Sequence, residues 1–195
     1  MATDIAMSSN ALLLLGDNPI SSFSETGAGA QVAANLYPET YRAILATYPW
    51  SFALKEQFLS RLTQSPDELT HYVYAFQLPA DCIRLWKVMS WNDYSLVGAY
   101  VYSNQRELLA RYIYEVEETA LPPHVVKAIE YKLAAEFAVP VTEDTAKAQF
   151  YEQKYLFQLA QAQTIDSQSE PQKKIIDSPF INTRFSGASY SYLEG

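Results

Sequence analysis

The spacing of apolar residues changes period twice along this chain, and that switch limits what it can fold into. From Asp4 to Tyr48 apolar side chains recur at helical intervals. From Trp50 to Val116 they alternate, and from Pro122 to Thr164 the helical interval returns. All three tryptophans and seven of the 15 tyrosines fall between residues 50 and 114, while the flanks are rich in alanine. Aromatic and β-branched residues favour strands and alanine favours helix, so the two signals agree on helices at both ends with strands between.

Local signals place the elements. Asp4 is positioned to cap a first helix that runs to Leu15 and stops at Gly16, since glycine tolerates the left-handed residue after a helix. Asp17-Asn18-Pro19 turns the chain, with Ile20 and Phe23 as apolar anchors. A second helix is expected from Gly29 to about Tyr48, with Val32, Leu36, Ile44 and Leu45 inward and a kink or break at Pro38. Pro122-Pro123 opens a third, whose stripe is Val125, Val126, Ile129, Leu133 and Phe137 and which Val139-Pro140 ends. Thr142 to Thr145 opens a fourth that reaches about Thr164, with Ala146, Phe150, Phe157 and Ala160 on its packed side.

Between the helical pairs, Trp50, Phe52, Leu54, Phe58 and Leu62 share one side of a long strand. A polar loop at 63–70 follows, then strands at 72–78, 82–91, 96–102 and 107–116. The expected fold class is α+β: a four-helix bundle (residues 1–49 and 121–166) with an antiparallel β-rich domain (50–120) inserted between helices two and three. Trp50-Ser51-Phe52-Ala53 reads as an aromatic plug where the two meet. Residues 167–195 have no sustained period, yet they carry Ile175, Ile176, Phe180, Ile181, Phe185, Tyr190 and Tyr192. Apolar residues spaced by small polar ones suit an extended tail that docks in a partner's groove, and these seven are the expected partner-binding residues.

Charge and composition exclude several functions. With 14 basic and 22 acidic residues among 195, the chain carries a formal −8, the wrong sign for gripping nucleic acid. The whole excess lies in residues 1–166; the tail holds three of each sign. One cysteine and two histidines make neither a disulfide framework nor a Cys/His zinc cage. No apolar run near the start is long enough for a membrane span.

Catalytic readings are thin. Cys82 with His71 or His124 could form a nucleophile–base pair, but no local signature supports it. Glu115, Glu117 and Glu118 could supply paired carboxylates, although 22 acids make such clusters common. Asp67, Glu68 and Asp81 are scattered in loops and do not converge as metal ligands. Gly27-Ala28-Gly29 lacks the strand–turn–helix setting of a nucleotide loop. No catalytic, cofactor or metal residue is expected. The alternative is a hydrolase acting on cell-envelope or peptide substrates through Glu117 and Glu118 or Cys82.

Four blocks in order carry a family resemblance. They are Asn10-Ala-Leu-Leu-Leu-Leu-Gly-Asp-Asn-Pro-Ile-Ser-Ser-Phe23, then Tyr37-Pro38 through Tyr48-Pro-Trp-Ser-Phe-Ala53. Tyr74-Ala-Phe-Gln-Leu-Pro-Ala-Asp-Cys-Ile-Arg84 and Lys132-Leu-Ala-Ala-Glu-Phe-Ala-Val-Pro-Val-Thr142 complete the set. Together they cover residues 8–166, and the chain resembles the phage tail tubular protein A group of head-to-tail adaptors, or connectors. That resemblance implies four helices with a β-rich insertion and a homo-oligomeric ring, usually of twelve copies, between portal protein and tail nozzle. The nozzle would be like tail tubular protein B, with the tail fibre a further neighbour. It implies a virion protein of the head–tail junction, made in the host cytoplasm, with no active site, no cofactor and no membrane partner. Twelve copies at −8 would carry about −96, a channel past which DNA slides without specific binding.

Overall fold

The computed structural model describes residues 2–63, 71–89 and 93–169. It is a mixed α+β structure with four helices and antiparallel sheets. Residues 64–70 of the loop expected at 63–70, Trp91 and the docking residues Ile175 to Tyr192 lie outside the described residues.

Helix α1 spans Asp4–Leu15. The cap is Thr3 and not Asp4: its Oγ1 accepts from the Ala6 N–H at 3.1 Å, and Asp4 sits in the first turn, where its charge suits the helix dipole. Gly16, at φ 85°, closes the helix. Its N–H reaches the Leu13 carbonyl and that of Asp17 reaches Leu12, the paired bonds of a Schellman end.

Helices α2 (Ala28–Thr47) and α3 (Pro123–Thr142) both run through an internal proline. The expected break at Pro38 and stop at Pro140 are therefore corrected. Each proline and the residue four before it, Ala34 or Glu136, is exposed, so the carbonyl deprived of its donor faces water. The buried side of α2 is made by Ala33, Tyr37, Tyr41, Ile44 and Leu45, with Val32 and Leu36 only partly buried. Helix α3 ends at Glu143, which adopts φ 54°, and Thr142 is its last residue rather than the start of the next.

Helix α4 spans Thr145–Ser169 and is capped by Asp144, whose Oδ1 accepts from the N–H groups of Ala146 and Lys147. Its packed side is not the expected one. Tyr155, Ala162 and Asp166 are buried, with Tyr151 and Leu159 partly so, whereas Phe150 and Phe157 are 52% and 64% exposed. Two apolar sets lie on opposite sides of this helix. The inward set carries the polar partners: Tyr151 donates to Leu14 O at 2.6 Å and Lys132 sits over the Tyr155 ring.

Seven strands are described: β1 (Leu54–Phe58), β2 (Ser60–Arg61), β3 (Tyr74–Gln77), β4 (Cys82–Val88), β5 (Tyr94–Val97), β6 (Tyr100–Ser103) and β7 (Leu109–Tyr114). They form two antiparallel sheets, ordered β1-β7-β4 and β2-β3-β6-β5. The single long strand expected after Trp50 is instead a 3₁₀ turn (Ser51–Ala53), then β1, then β2. At Leu59 the chain leaves one sheet for the other, donating to the Leu108 carbonyl; Leu59 is buried and Phe58 exposed. The strand expected at 96–102 is a hairpin. Gly98, at φ 59° with Ala99 following, supplies the turn between Val97 and Tyr100, a combination that matches the twist of the flanking strands.

Two cores result. The larger joins the helices to Trp50, Ala53, Ile113 and Val116; the smaller joins the two sheets through Leu59, Phe76, Val88, Val101, Leu108 and Ala110. Trp50 is fully buried, donates its indole N–H to Ile44 O at 3.4 Å, stacks on Phe52 and meets Tyr48 edge-on. Trp50→Ala is expected to lower stability by about 3–5 kcal/mol, read from urea unfolding; a loss below about 1 kcal/mol would contradict this packing.

Candidate functional site

Three groups of polar side chains gather where helices meet strands. The first locks α4 to the 3₁₀ turn. Asp166 is buried near the end of α4, and its two oxygens accept from the Ser51 N–H at 2.9 Å and the Ser51 hydroxyl at 2.6 Å. Its acceptors serve the turn after Trp50, a structural task.

The second group lies between α2 and the segment after β7. Tyr41 donates to Val116 O at 2.5 Å, and Tyr37 stacks on it while donating to Glu118 Oε1 at 3.2 Å. Burial first, then the Glu118 charge, raises both phenols above their ordinary value. Glu115 pairs with Arg42, and Glu117 is exposed. The three glutamates named from the sequence thus diverge: one holds an arginine, one a tyrosine, and one faces water.

The third group surrounds Cys82 at the start of β4. Asp81 accepts from Lys55 Nζ at 2.7 Å and from the Tyr112 hydroxyl at 3.2 Å, and the lysine contact holds its carboxyl below the usual range. Tyr112 is buried, and burial with the Asp81 charge pushes its phenol up to about 12. Burial and the same carboxylate push the half-buried Cys82 thiol up to about 11. Cys82 shares a cleft of about 300 Å³ with Arg42, Asp81 and Glu115, and borders an apolar groove of about 660 Å³ lined by Leu78, Ile83, Leu85 and Leu96; neither is lined by a histidine. A thiol beside carboxylates and without an imidazole is the reverse of an activated nucleophile.

Among the described residues no group of three or more metal-ligating side chains converges, and no helix is long and apolar enough to cross a membrane. The most distinctive surface is apolar. Besides Phe150 and Phe157, α4 exposes Leu156 and Ile165; the strands expose Phe58, Trp86, Leu96 and Val97. Sequence reasoning missed α4's outward side by assigning its phenylalanines to the core. The signal was present in the pair Tyr151 and Tyr155, which mark a second apolar face on the same helix.

No protein-family model matches this chain, and no curated protein sequence matches it.

The titration shifts have a measurable consequence. Cys82 and Tyr112 hold their protons more tightly in the folded chain than in the unfolded one, where ordinary values are 9.0 and 10.0. Their contribution to stability is complete below about pH 9 and is lost as pH climbs through about 11 and 12. The urea midpoint is expected to fall steadily over that window. Iodoacetamide at about pH 8 is expected to alkylate Cys82 at least roughly tenfold more slowly in the folded protein than in urea; equal rates would contradict the description of this cleft.

Proposed function

We propose that this protein is a structural head-to-tail adaptor of a tailed bacteriophage. It forms a ring, with twelve copies the resemblance's number, between portal and tail nozzle, continues the DNA channel and gives the tail its platform. On this reading the helices form a bundle from residues 1–49 and 121–166, and the strands of 50–120 are an insertion. Residues 167–195, with Ile175, Ile176, Phe180, Ile181, Phe185, Tyr190 and Tyr192, are the strap that docks on a neighbouring virion part. The protein has no catalytic role and no cofactor; it is made in the host cytoplasm and resides at the head–tail junction.

The observation that carries the proposal is the apolar surface left open on an acidic chain. Aromatic and aliphatic side chains stand exposed on both the helical and the strand parts. Contiguous exposed apolar area marks an interaction surface, and Phe150 and Phe157 share one side of α4. The order of elements, two helices, strands, two helices, agrees with what the four resembling blocks imply. No observation favours the hydrolase: Glu118 is engaged by Tyr37 and the Cys82 thiol is deactivated.

Two experiments test this reading. A phage carrying a disrupted copy of the gene is expected to fill heads with DNA but release them without tails, seen by electron microscopy. Added purified protein should restore joining, and so should the Glu117→Ala, Glu118→Ala, Cys82→Ala variant; normally tailed particles from the disrupted phage would refute the proposal. Binding of the isolated protein to duplex DNA at physiological salt is expected to be negligible, since −8 offers few phosphate partners; a steeply salt-dependent affinity would contradict the sliding channel.

A further inference from the structure

The two sheets enclose the smaller core and stop one strand short of a closed barrel. Along one side the chain runs straight from β1 into β2 through Leu59, so those two edges are continuous. Along the other side the edges are β4 and β5. Each is paired with a single neighbour, β7 or β6, and among the described residues no strand lies between them. The groove of about 660 Å³ opens in that gap, with Ile83 and Leu85 of β4 on one wall, Leu96 of β5 and Gly98 on the other, and Leu78 at its end. Leu78 and Leu85 also pack against the core between the sheets, so the groove leads to that core. A partly open barrel of this kind leaves two rows of main-chain groups that closure would satisfy.

The two edges are not equally guarded. Strand β4 breaks register at Cys82/Arg84 and at Leu85/Lys87 and carries both of those cations, features that discourage an added strand. Strand β5 has neither. Tyr94-Ser95-Leu96-Val97 pairs with β6 in unbroken register, holds no charge and no proline, and leaves Leu96 and Val97 nearly half exposed. An edge of that composition is a template for an extended segment.

The chain supplies such a segment beyond α4. Phe180-Ile-Asn-Thr-Arg-Phe185 is rich in aromatic and β-branched residues and is bounded by Ser178-Pro179 and Ser186-Gly187, the punctuation of one short strand. In an extended conformation Ile181, Thr183 and Phe185 share one side, with Asn182 and Arg184 on the other. Its point of departure is close to the groove. Asp166, in the last turn of α4, bonds Ser51, which lies three residues before Leu54. From Leu54 the register row passes through Ile113 to Arg84, two strand spacings or about 10 Å across the sheet. Ser169 therefore stands within roughly 30 Å of Arg84, which also lines the groove. Residues 170–179 span up to about 33 Å when extended, enough to bring Phe180 to it.

We infer that residues 180–185 of this chain add to the free edge of its own β5, turning Ile181 and Phe185 into the groove against Leu85 and Leu96. The short tether favours the chain's own segment, since it holds the strand near its seat at an effective concentration of about millimolar. The inference does not need the adaptor reading. On that reading the groove is where the strap rests in the free chain, before a neighbouring virion part takes it over.

The test uses the full chain and three full-length variants, each checked for cooperative unfolding in urea: Leu96→Glu in the groove, a paired Ile181→Asp, Phe185→Asp change in the segment, and Phe157→Glu on α4. Hydrogen exchange at about 1 µM is expected to slow the amides of 180–185 roughly tenfold or more below the rate of an unstructured chain. Leu96→Glu and the paired change should each abolish the slowing, and Phe157→Glu should leave it intact. Cys82 lines the same groove, so the paired change should also speed its alkylation roughly threefold or more, a readout that leaves the folded core untouched. The inference is overturned by unprotected amides at 180–185, by protection that survives Leu96→Glu, or by an alkylation rate that the paired change does not alter. Protection lost in Phe157→Glu would overturn it by seating the segment on α4. Protection that grows from about 1 µM to about 100 µM would also overturn it, making a second copy's segment the occupant. These outcomes are separate from the tail-joining assay. A chain with its segment seated as inferred yet dispensable for tail attachment would keep this contact and remove the adaptor reading.

Discussion

Strand β7 supplies side chains to both cores, and the two halves of the structure depend on that. Ile113 points into the helical core, while Ala110, three residues earlier, points into the core between the sheets. The strand serves both because its two ends differ: Ile113 and Tyr114 meet the helical core at one end, and Ala110 meets the core between the sheets at the other. Trp50 adds the second tie. It fills the corner where α2 hands the chain to the strands, and Asp166 fastens the turn beside it to the far end of α4. The helices and the three-stranded sheet therefore share one core.

Sharing a core in this way leaves surfaces over. Helix α3 is the central wall, packed by α1, α2 and α4. A helix at the edge of such a layer has only one side to bury, so an edge helix with two apolar sides must leave one open. Helix α4 is that helix. Tyr151 and Lys147 take up the unpaired carbonyls of Leu14 and Leu15 at the end of α1, a favourable place for a cation, and its phenylalanines are turned out. The polar clusters, by contrast, are all spent internally. Glu118, Asp81 and Asp166 each accept from a named neighbour, and the cleft that Asp81 shares with Cys82 also holds Arg42 and Glu115.

Where sequence reasoning failed, solvent usually explains it. Pro38 and Pro140 look like helix breakers because each removes a backbone donor, but both fall on exposed sides where water replaces the lost bond. The long strand after Trp50 is divided because Leu59, not Phe58, is taken into the core between sheets, a change of parity visible only once the second sheet is in place. The turn at Gly98 was legible in principle, since a glycine between β-rich runs is a hairpin signal, yet the run of tyrosine and valine around it hid the boundary. The seven docking residues of the tail lie outside the described residues, and the apolar side of α4 with Phe150 and Phe157 is the exposed surface that the described residues show.

Local chemistry was enough to determine the order of helices and strands, the glycine end of α1, the proline start of α3 and the burial of Trp50. Each follows from a property of a few adjacent residues: a permitted φ, a missing donor, a spacing of 3.6 or 2. Tertiary structure alone decided which side of α4 is buried, which parity of each strand faces which core, and what the carboxylates hold. Those choices compare two sides of one element against neighbours distant in sequence, and periodicity, which reports that an apolar side exists, carries no record of what stands opposite it.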